Sequence, residues 1–536
     1  MDRTEIAVIG GGPAGLSAAV AATSLGARVT VVDDGARLGG QLVKQTHRFF
    51  GSRGHHSGTR GIDIAPLLIQ QARDGDTAIW SDATVVGFYD DNVLGVYQGE
   101  AFRELQARCV VVATGAAENM LAFPGNDLPG VYGAGAVQTL MNVHGVRPGR
   151  RVLMVGAGNI GVIVSYQLLQ AGVDVAAIVE ALPYVGGYQV HDAKVRRAGV
   201  PILTRHTVLE ALGDEQVTGA IIAQLDDQWR VVEGTQRELD VDTICLAVGL
   251  TPLSELLWQA GCQMRYVPAL GGHVAVHDDR METTLPGVYV AGDASGIEEA
   301  STAMLEGRLA GLAAAMRLHG ETDESRRRLR ETQQELATFR GGPYGAKVRE
   351  GKEDLGLSRE CALFPPSAMP LEARTGTTLE DVLASIPPER LARGPVAVIE
   401  CLERIPCNPC VEACPQGAIS MPGSINELPQ LDTEACTGCG LCISGCPGLA
   451  IFLVDATHAP GEALVSLPYE FLPLPEKGDE VAALDREGQE RGLARVVRVR
   501  KTRKMDRTAV VSLAVPVELV MEVRGFKARD KSISSS

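Results

Sequence analysis

Apolar runs and glycine-rich turns follow one another in a fixed order at the start of the chain. Residues 6–33 read IAVIGGGPAGLSAAVAATSLGARVTVVD: an apolar run, a glycine turn, an alanine-rich stretch and a second apolar run. Short apolar runs predict buried strands, and the longer alanine-rich stretch predicts a helix. Residues 151–180, RVLMVGAGNIGVIVSYQLLQAGVDVAAIVE, repeat this design. The pattern therefore predicts an α/β fold with two strand–turn–helix–strand units.

The first glycine turn has the spacing of a dinucleotide-binding turn. Gly10 permits the sharp bend after the strand, Gly12 lets the backbone approach a pyrophosphate, and Gly15 lets the helix pack closely on the sheet. Asp33 ends the second strand, where a carboxylate binds ribose hydroxyls. The alternative is a plain glycine-rich turn. We predict a Rossmann-like dinucleotide site at Gly10, Gly12, Pro13, Ala14, Gly15 and Asp33.

The second glycine turn repeats this spacing, and Glu180 ends its second strand. An acidic residue there accepts hydrogen bonds from a free ribose 2′-OH and repels a 2′-phosphate. We therefore predict NAD(H) rather than NADP(H) at this second site. Two alternatives stay open: a scaffold that turns nothing over, or a site for another adenine nucleotide. The predicted residues are Gly156, Gly158, Asn159, Gly161 and Glu180.

Charge and composition exclude several classes of protein. The 50 basic and 66 acidic residues give a net charge of −16, so an overall basic footprint for nucleic acid is absent. No apolar run reaches the length of a membrane span, and no signal-type apolar region precedes the first turn. We expect a cytoplasmic protein without a membrane span and without a nucleic-acid partner.

Eight of the 12 cysteines lie between residues 401 and 446. In a large chain without a secretory signal, such clustering indicates metal binding rather than disulfides. The second half of this block, CTGCGLCISGCP, has the spacing of a bacterial two-cluster ferredoxin, in which the fourth cysteine ligates the other cluster. A zinc ribbon would need only four of the eight sulfurs.

We predict two [4Fe–4S] clusters from this spacing. The first half of the block departs from the pattern, because five residues separate Cys401 from Cys407, which leaves the ligation by Cys401 open. One predicted ligand set is Cys414, Cys436, Cys439 and Cys442, and the other is Cys401, Cys407, Cys410 and Cys446.

Two later β runs, CVVVATG at 109–115 and GVYVAGDA at 287–294, end in Thr-Gly and Gly-Asp. Together with Gly12 and Asp33 they resemble the two-dinucleotide-binding flavoproteins, the pyridine-nucleotide oxidoreductases. The resemblance implies FAD at the first turn, with Asp293 on the ribityl chain or phosphate and a helix over about 301–315 aimed at the flavin. The further residues that it assigns to the flavin are Gly40, Gln41, Val85, Thr114, Gly115, Gly292, Thr302 and Ala303, and Gly249 closes the second nucleotide domain.

Disulfide reductases of this superfamily carry a reactive cysteine pair, which the pattern here disfavours. No cysteine lies between Met1 and Arg108, and no C-x-x-C precedes Cys407. Cys109 and Cys245 lie in apolar strands and are expected to be buried packing residues.

The loop KQTHRFFGSRGHH, 44–56, either turns His47, Arg48 or Phe50 towards the flavin or is an ordinary loop with solvated histidines.

The order of an FAD domain, an NAD-type insertion and a C-terminal cysteine domain resembles a narrower group. These are the large subunits of heteromeric amine and imino-acid dehydrogenases: opine oxidase, hydrogen cyanide synthase, sarcosine oxidase and proline or hydroxyproline dehydrogenase. The resemblance implies an amine or imino-acid substrate, a second flavoprotein subunit, and an electron acceptor such as ferredoxin or a quinone. Many members carry a [2Fe–2S] module instead of two cubanes, which puts oxidase activity with O2 in doubt.

Two alternatives to that function remain. One is a NAD(P)H–ferredoxin type reductase similar to the glutamate synthase small subunit, and the other is a non-catalytic electron-transfer scaffold. No catalytic residue can be assigned, because no side chain stands out as a general base. Residues 322–395 change character: a charged helix is predicted after residue 322, a proline-rich stretch lies at 364–370, and a short helix is predicted near residues 378–385. Alternating strands follow residue 455. The predicted domains are FAD-binding at 1–122 and 272–322, NAD(P)-type at 123–271, a helical linker at 323–395, ferredoxin-like at 396–455, and a β module with a disordered tail at 456–536.

Overall fold

The computed structural model describes residues 1–355 and 374–528. These residues form two compact units, Met1–Asn119 with Gly249–Arg374, and Met120–Val248 with Thr375–Ser536. Each unit therefore contains two separate stretches of chain. The predicted tail falls mostly on residues 529–536, which lie outside the described residues, as does the predicted proline-rich stretch at 364–370.

The first stretch of unit 1 contains the predicted strand, turn, helix and strand. Its elements are β1 (Asp2–Ile9), α1 (Pro13–Thr23), β2 (Val29–Val32), α2 (Gly61–Asp74), β3 (Ala78–Trp80), β4 (Ala83–Tyr89), β5 (Val93–Gln98), β6 (Ala101–Val112) and β7 (Ala116–Glu118). The strands β3, β2, β1 and β6 are parallel neighbours, and β5 and β4 extend the sheet in antiparallel register. The carboxyl ends of β1 and β2 thus lie side by side, which brings the glycine turn next to Asp33.

The first stretch of unit 2 contains the second nucleotide-type fold. Its elements are β8 (Val131–Gly133), α3 (Ala134–Asn142), β9 (Arg151–Val155), α4 (Asn159–Gln170), β10 (Asp174–Glu180), α5 (Gln189–Arg197), β11 (Ile202–Thr204), β12 (His206–Leu212), β13 (Gly219–Gln224), β14 (Arg237–Leu239) and β15 (Thr243–Leu246). A parallel sheet runs in the order β11-β10-β9-β15-β8, and β12, β13 and β14 form an antiparallel sheet. The predicted repeat of the first fold is confirmed.

The chain returns to unit 1 at Gly249. The elements are β16 (Leu250–Pro252), α6 (Glu255–Gln259), β17 (Met264–Val267), β18 (Gly272–Ala275), β19 (Val288–Val290), α7 (Ala300–His319), α8 (Asp323–Arg340) and α9 (Ala346–Asp354). Strand β19 pairs with β6 in parallel register, so GVYVAGDA joins the first sheet as expected. Helix α7 is buried along most of its length, since its residues are largely apolar or small. The charged helix predicted after residue 322 is α8.

The second stretch of unit 2 contains the cysteine block and the C-terminal strands. Its elements are α10 (Leu379–Ala384), α11 (Pro388–Leu391), β20 (Val396–Ile399), α12 (Pro409–Ala413), β21 (Ile419–Ser420), β22 (Gln430–Leu431), α13 (Leu441–Gly445), β23 (Ile451–Ala459), β24 (Glu462–Tyr469), β25 (Glu480–Leu484), β26 (Glu490–Arg500), β27 (Ala509–Pro516) and β28 (Gly525–Ala528). The helix predicted near residues 378–385 is α10.

An antiparallel sheet in the order β20-β23-β24-β27-β26-β25-β28 spans this stretch. Strand β20 precedes the cysteine block and β23 follows it, so the sheet holds both ends of the block. The predicted domain limit at residue 455 runs through β23. The alternating pattern after residue 455 is explained by one face of the sheet, where Val465, Val496 and Leu513 enter an apolar core.

Among residues 1–355 and 374–528, no helix combines the length and the apolar composition that a membrane crossing requires.

Candidate cofactor sites

The first glycine turn closes around the carboxylate of Asp33. Gly10 has φ +101°, and a Cβ at this position would lie 2.3 Å from the carbonyl oxygen of Ala113. Asp33 accepts a hydrogen bond from the Gly11 N–H at 2.5 Å and another from the Gly35 N–H at 2.9 Å. Burial raises the pKa of Asp33, although both backbone N–H groups act against this. The carboxylate is thus fixed at the end of β2, beside the turn.

A second loop covers the same turn from the other side. The Gly39 N–H donates to the carbonyl oxygen of Gly11 at 2.8 Å. A Cβ built on Gly12 would find its nearest neighbour, the Cα of Gly40, at 3.8 Å. The protein itself therefore leaves room at Gly12, and a pyrophosphate can approach there. Gln41 is exposed beside this loop.

The Gly-Asp end of β19 is held by a buried carboxylate on α7. Glu306 accepts a hydrogen bond from the Gly292 N–H at 2.9 Å and from the Ser295 hydroxyl at 2.7 Å. Its other oxygen lies 2.5 Å from Arg340 and 3.3 Å from Lys352. Burial alone would raise the pKa of Glu306, but the two cations hold it below its usual value. The loop that carries Asp293 is fixed by this network.

Asp293 itself lies in an environment that favours its protonated form. Burial first, and then the carboxylates of Glu298 and Glu306, raise the pKa of Asp293 to about 7, although the Glu298 N–H donates to it at 3.3 Å. Thr302 and Ala303 are buried in the first turn of α7. A polar ligand group that donates a hydrogen bond fits this carboxyl.

Sequence reasoning missed Glu306, Arg340 and Lys352. A single acidic residue within the apolar stretch STAMLEGRLAGLAAA was a usable signal for Glu306. Arg340 and Lys352 come from α8 and α9, and no local pattern connects them with the flavin turn.

The remaining residues assigned to the flavin lie at the edges of the same sheet. The Thr114 hydroxyl donates to the carbonyl oxygen of Leu253 at 2.6 Å, and Gly115 has open space where a Cβ would stand. Val85 is half-buried in β4, opposite Val96 of β5. Gly249, which the sequence assigned to the second nucleotide domain, lies in unit 1, where its carbonyl oxygen accepts a hydrogen bond from the Asn119 N–H at 3.0 Å.

The loop at 44–56 is more buried than a solvated loop would be. Arg48, Phe49, Phe50 and His55 are all buried. His55 lies 2.8 Å from the Ser52 hydroxyl, and its ring meets Phe339 edge-on at 5.0 Å. Burial, followed by the charge of Arg308, lowers the pKa of His55 to about 4. His55 is therefore a neutral packing residue, and the expectation of solvated histidines is wrong for it.

The second glycine turn has the same construction as the first. Gly156 has φ +105°, and a Cβ there would lie 2.3 Å from the carbonyl oxygen of Ala247. Glu180 accepts hydrogen bonds from the Ala157 N–H at 2.7 Å and from the Leu182 N–H at 3.0 Å. At Gly158 a Cβ would meet nothing within 4 Å. The structure thus brings Glu180 to the open turn.

The covering loop is also repeated, which sequence reasoning missed. The Gly187 N–H donates to the carbonyl oxygen of Ala157 at 2.9 Å, and the Tyr188 N–H donates to the Asn159 side chain at 2.8 Å. The signal was present: a glycine pair begins six residues after the acid in both units, at Gly39 and at Gly186. The second turn is therefore covered by a loop that leads directly into α5.

The cysteine block forms a cavity on one side of the antiparallel sheet. The cavity encloses roughly 330 Å³ of empty space, part of it open to solvent, and Cys414, Cys436, Cys439 and Cys442 all line it. Burial, and then the neighbouring thiols of Cys436, Cys439 and Cys414, raise the pKa of Cys442 to about 12. These four cysteines are one of the two predicted ligand sets.

The other predicted set gathers around Cys446. Burial first, and then the thiols of Cys446 and Cys410, raise the pKa of Cys401 well above its usual value. Burial and Cys446 likewise raise the pKa of Cys410 to about 12. Cys407 is half-buried in the loop before α12. Among the described residues, no group of three or more His, Cys, Asp or Glu side chains has the close spacing of a single metal-ion site.

The three cysteines outside the block that the structure describes are packing residues. Cys109 and Cys245 are fully buried, as predicted, and Cys262 is buried as well. Burial raises the pKa of Cys109 to about 11 and also raises that of Cys262. Within the described part of unit 1, Cys109 and Cys262 are the cysteines present, and neither has a reactive thiolate character.

Comparison with known families agrees with this geometry. Residues 4–307, more than half of the chain, match the family described as pyridine nucleotide-disulphide oxidoreductase. The chain therefore belongs to this family. Residues 403–450 match the 4Fe-4S dicluster domain, which includes every cysteine of the block except Cys401. FAD and [4Fe–4S] clusters are the cofactors that these two domains hold.

Similar proteins include subunits of opine oxidase and sarcosine oxidase. An opine oxidase subunit from Agrobacterium tumefaciens (strain Ach5) is 31% identical over 58% of this chain and 65% of its own length. The alpha subunit of sarcosine oxidase from Rhizobium meliloti (strain 1021) is 31% identical over 48% of this chain and 25% of its own length. The matches thus span less than two thirds of these relatives.

Among solved structures, thioredoxin reductase from T. acidophilum superposes with a TM-score of 0.50 at 22% identity, and the match covers 59% of this chain and 99% of that chain. This likeness agrees with the fold of two nucleotide-binding domains.

We predict that Gly12→Val removes the flavin without unfolding the protein. The structure leaves space for a Cβ at Gly12, so the added side chain meets the pyrophosphate rather than the protein. The flavin-to-protein ratio, read from absorbance, should fall at least about tenfold, while circular dichroism stays unchanged. Gly158→Val, which also has free space, is the matched control and should keep its flavin. A folded Gly12→Val variant with the full flavin content contradicts the placement.

We predict that Glu180→Gln weakens the preference for NAD over NADP. The amide keeps an oxygen for the backbone N–H groups but removes the charge that repels a 2′-phosphate. The ratio of the Kd for NADP to the Kd for NAD, measured by calorimetry, should fall by about tenfold, which corresponds to ~1.4 kcal/mol. Glu210→Gln, an exposed residue of β12, is the control and should leave the ratio unchanged. If the wild-type site binds neither nucleotide, the nicotinamide assignment is wrong.

Proposed function

We propose that this chain is the FAD- and iron–sulfur-dependent subunit of a dehydrogenase that oxidises a secondary amine or an imino acid. The observation that carries the proposal is the presence, on one chain, of an FAD-type fold without a reactive dithiol among its described residues and of two sets of four cysteines. The relatives named as opine oxidase and sarcosine oxidase subunits support an amine or imino-acid donor, such as proline, hydroxyproline, sarcosine or an opine.

The residues proposed to hold FAD surround the first glycine turn. Asp33 would bind the ribose, since its carboxylate stands at the end of β2 beside the open face at Gly12. Asp293 would form a hydrogen bond with the ribityl chain or phosphate, because its carboxyl is buried at the end of β19 and burial raises its pKa to about 7. Glu306, Arg340 and Lys352 would keep the Asp293 loop in place. The N-terminus of α7, with its positive dipole end, would favour added electron density on the ligand.

The two cysteine sets are proposed to hold one [4Fe–4S] cluster each. Cys414, Cys436, Cys439 and Cys442 already share one cavity, which supports the first set. Cys401, Cys410 and Cys446 pack in one apolar cluster, and the Cys446 thiol raises the pKa of both Cys401 and Cys410, which supports the second. When bound, FAD takes two electrons from an organic donor, and the clusters accept them one at a time.

Thiol–disulfide chemistry at the flavin is not part of this proposal. Burial raises the pKa of Cys109 and Cys262, so neither thiol is prepared for nucleophilic attack. No side chain of the described residues is assigned as a general base. A second flavoprotein subunit is therefore proposed to supply or complete the amine chemistry, with ferredoxin or a quinone as the electron acceptor. The eight clustered cysteines suit the reducing cytoplasm.

A second candidate function is electron transfer from NAD(P)H to a ferredoxin-type acceptor. The observation that favours it is the second glycine turn, where Glu180 stands beside an open Gly158. A third candidate function is that of a non-catalytic electron-transfer scaffold. It differs from the other two because neither an amine nor NAD(P)H would reduce the flavin of the isolated chain.

Anaerobic mixing experiments distinguish these functions. The native preparation, including any co-purified subunit, is mixed with each candidate donor in turn. We expect proline, hydroxyproline, sarcosine or an opine to bleach the flavin absorbance and to produce the signal of reduced clusters. Glycerol, which offers no amine, is the control. If no amine reduces the complex and NADH does so within seconds, the amine function is wrong and the reductase function stands.

Iron analysis tests the cluster assignment. Two cubanes predict about eight iron atoms and eight inorganic sulfides per chain. Cys401→Ser should lower the iron content to about half, since one complete ligand set would be lost. Cys262→Ser, a buried cysteine outside the block, should retain the full content. A wild-type chain with about four iron atoms, together with an unchanged Cys401→Ser variant, would show that the first set is incomplete.

A further inference from the structure

A buried carboxylate next to the cysteine block is bound by two guanidinium groups. Glu400, which precedes Cys401, lies 2.6 Å from the Nε of Arg524 and 2.6 Å from an Nη of Arg486. The Arg524 side chain is fully buried, and Glu400 is almost so. Burial alone would raise the pKa of Glu400, but both arginines hold it below its usual value. Glu400 is therefore a charged group that is already fully paired.

Arg197, the last residue of α5, adds a third cation to this group. Its Nη2 donates to the carbonyl oxygen of Leu449 at 3.0 Å, and the Leu449 N–H donates to the carbonyl oxygen of Cys446 at 3.2 Å. The guanidinium groups of Arg197 and Arg524 lie over the ring of Phe452, at 5.2 and 5.0 Å. Arg197 is 8% exposed. We name Arg197, Glu400, Arg486 and Arg524 the buried basic group.

The buried basic group carries an excess of positive charge. Three guanidinium groups face one carboxylate, and Glu400 forms its ion pairs with Arg486 and Arg524 rather than with Arg197. Arg197 is held by a carbonyl oxygen and an aromatic face, which leave its charge intact. The loop that Arg197 contacts is the turn Cys446–Leu449, in which the Leu449 N–H donates to the Cys446 carbonyl oxygen. The charge of Arg197 is thus fixed beside the loop that carries Cys446.

A fixed cation beside an iron–sulfur cluster has a known physical consequence. Reduction adds one negative charge to the cluster, so a nearby positive charge stabilises the reduced form and raises the reduction potential. The effect is strong where water is excluded, because the local dielectric constant is low. Arg197 meets both conditions, since it is buried and lies at the loop that carries Cys446.

We propose that Arg197, supplied by the second nucleotide-binding fold, raises the reduction potential of the cluster held by Cys401, Cys407, Cys410 and Cys446. Arg197 is a positioning residue in this sense: it touches the loop of a ligand, and its charge acts on the cluster through space. The inference rests on the proposed two-cluster content. It assigns to α5 an electrostatic role in electron transfer that is separate from nucleotide binding.

The other cysteine set has cations of its own, which come from different elements. Arg390 is buried and donates to the carbonyl oxygen of Cys436 at 2.7 Å, and Arg500 donates to that of Cys439 at 3.1 Å. These two side chains come from α11 and β26, not from α5. Removing the charge of Arg197 should therefore shift the potential of the cluster at Cys446 further than that of the other cluster, since the interaction between charges weakens with distance.

The test is an anaerobic redox titration of the native preparation, followed by electron paramagnetic resonance of both clusters. Arg197→Gln should lower the midpoint potential of one cluster. At an applied potential equal to the wild-type midpoint, the ratio of reduced to oxidised cluster in the variant should be at least about tenfold lower. A tenfold change corresponds to a midpoint shift of about 59 mV for one electron. Arg197→Lys keeps the charge and should retain most of the wild-type potential. Arg196→Gln is the matched control, since Arg196 is already paired with Asp192 at 2.6 Å, and it should cause no shift.

Glu400→Gln provides a variant with the opposite sign. It removes the negative charge of the buried basic group and should raise the reduction potential of the same cluster. This variant therefore tests the proposal even if the Arg197→Gln protein does not fold. The proposal is overturned if Arg197→Gln holds about eight iron atoms and the potentials of both clusters are unchanged. It is also overturned if Arg197→Lys shifts the potential as far as Arg197→Gln does. A Glu400→Gln variant whose cluster potential is lowered or unchanged overturns it as well. A wild-type preparation with a single cluster would instead overturn the proposed cofactor content.

Discussion

Both nucleotide folds depend on a position where a Cβ cannot exist. At Gly10 and Gly156 a Cβ would lie 2.3 Å from a carbonyl oxygen of the neighbouring strand, so any other residue would force the turn away from the sheet. With glycine in place, the acid at the end of the next strand reaches the backbone N–H groups of the turn. The open face at Gly12 or Gly158 then stands where strand, turn and helix meet. The position of each open face is a consequence of this packing.

Buried carboxylates paired with cations from distant parts of the sequence recur in both units. Glu306 is paired with Arg340 and Lys352, and Glu400 with Arg486 and Arg524. Removing one partner of such a pair leaves an unpaired buried charge, at a typical cost of about 3–5 kcal/mol. Each network therefore ties a loop beside a cofactor site to chain segments that follow much later. Segments that carry no recognisable motif are part of the sites for this reason.

Helix α5 connects two functional regions within unit 2. At its start, the Tyr188 N–H donates to Asn159 of the second glycine turn, and the Gln189 N–H donates to Glu403 of the cysteine block at 2.8 Å. At its end, Arg197 donates to Leu449, three residues after Cys446. A single helix of nine residues thus contacts the nucleotide turn and both ends of the cysteine block. This arrangement gives the second nucleotide fold a structural role whether or not its ligand turns over.

The sequence alone determined the local units: the two strand–turn–helix–strand folds, the acids Asp33 and Glu180, the β runs that end at Gly115 and Asp293, and the cysteine spacing. These features can be predicted because each one depends on residues close together in the chain. The spacing of glycines and the period of the apolar positions then permit few alternative local structures. The tertiary structure alone decided that Glu306 meets Arg340, that β20 and β23 enclose the cysteine block in one sheet, and that Arg197 binds Leu449 in the loop after Cys446. These contacts join residues that are from 34 to about 250 positions apart, and a buried charge selects its partner by position in space, which no local pattern records.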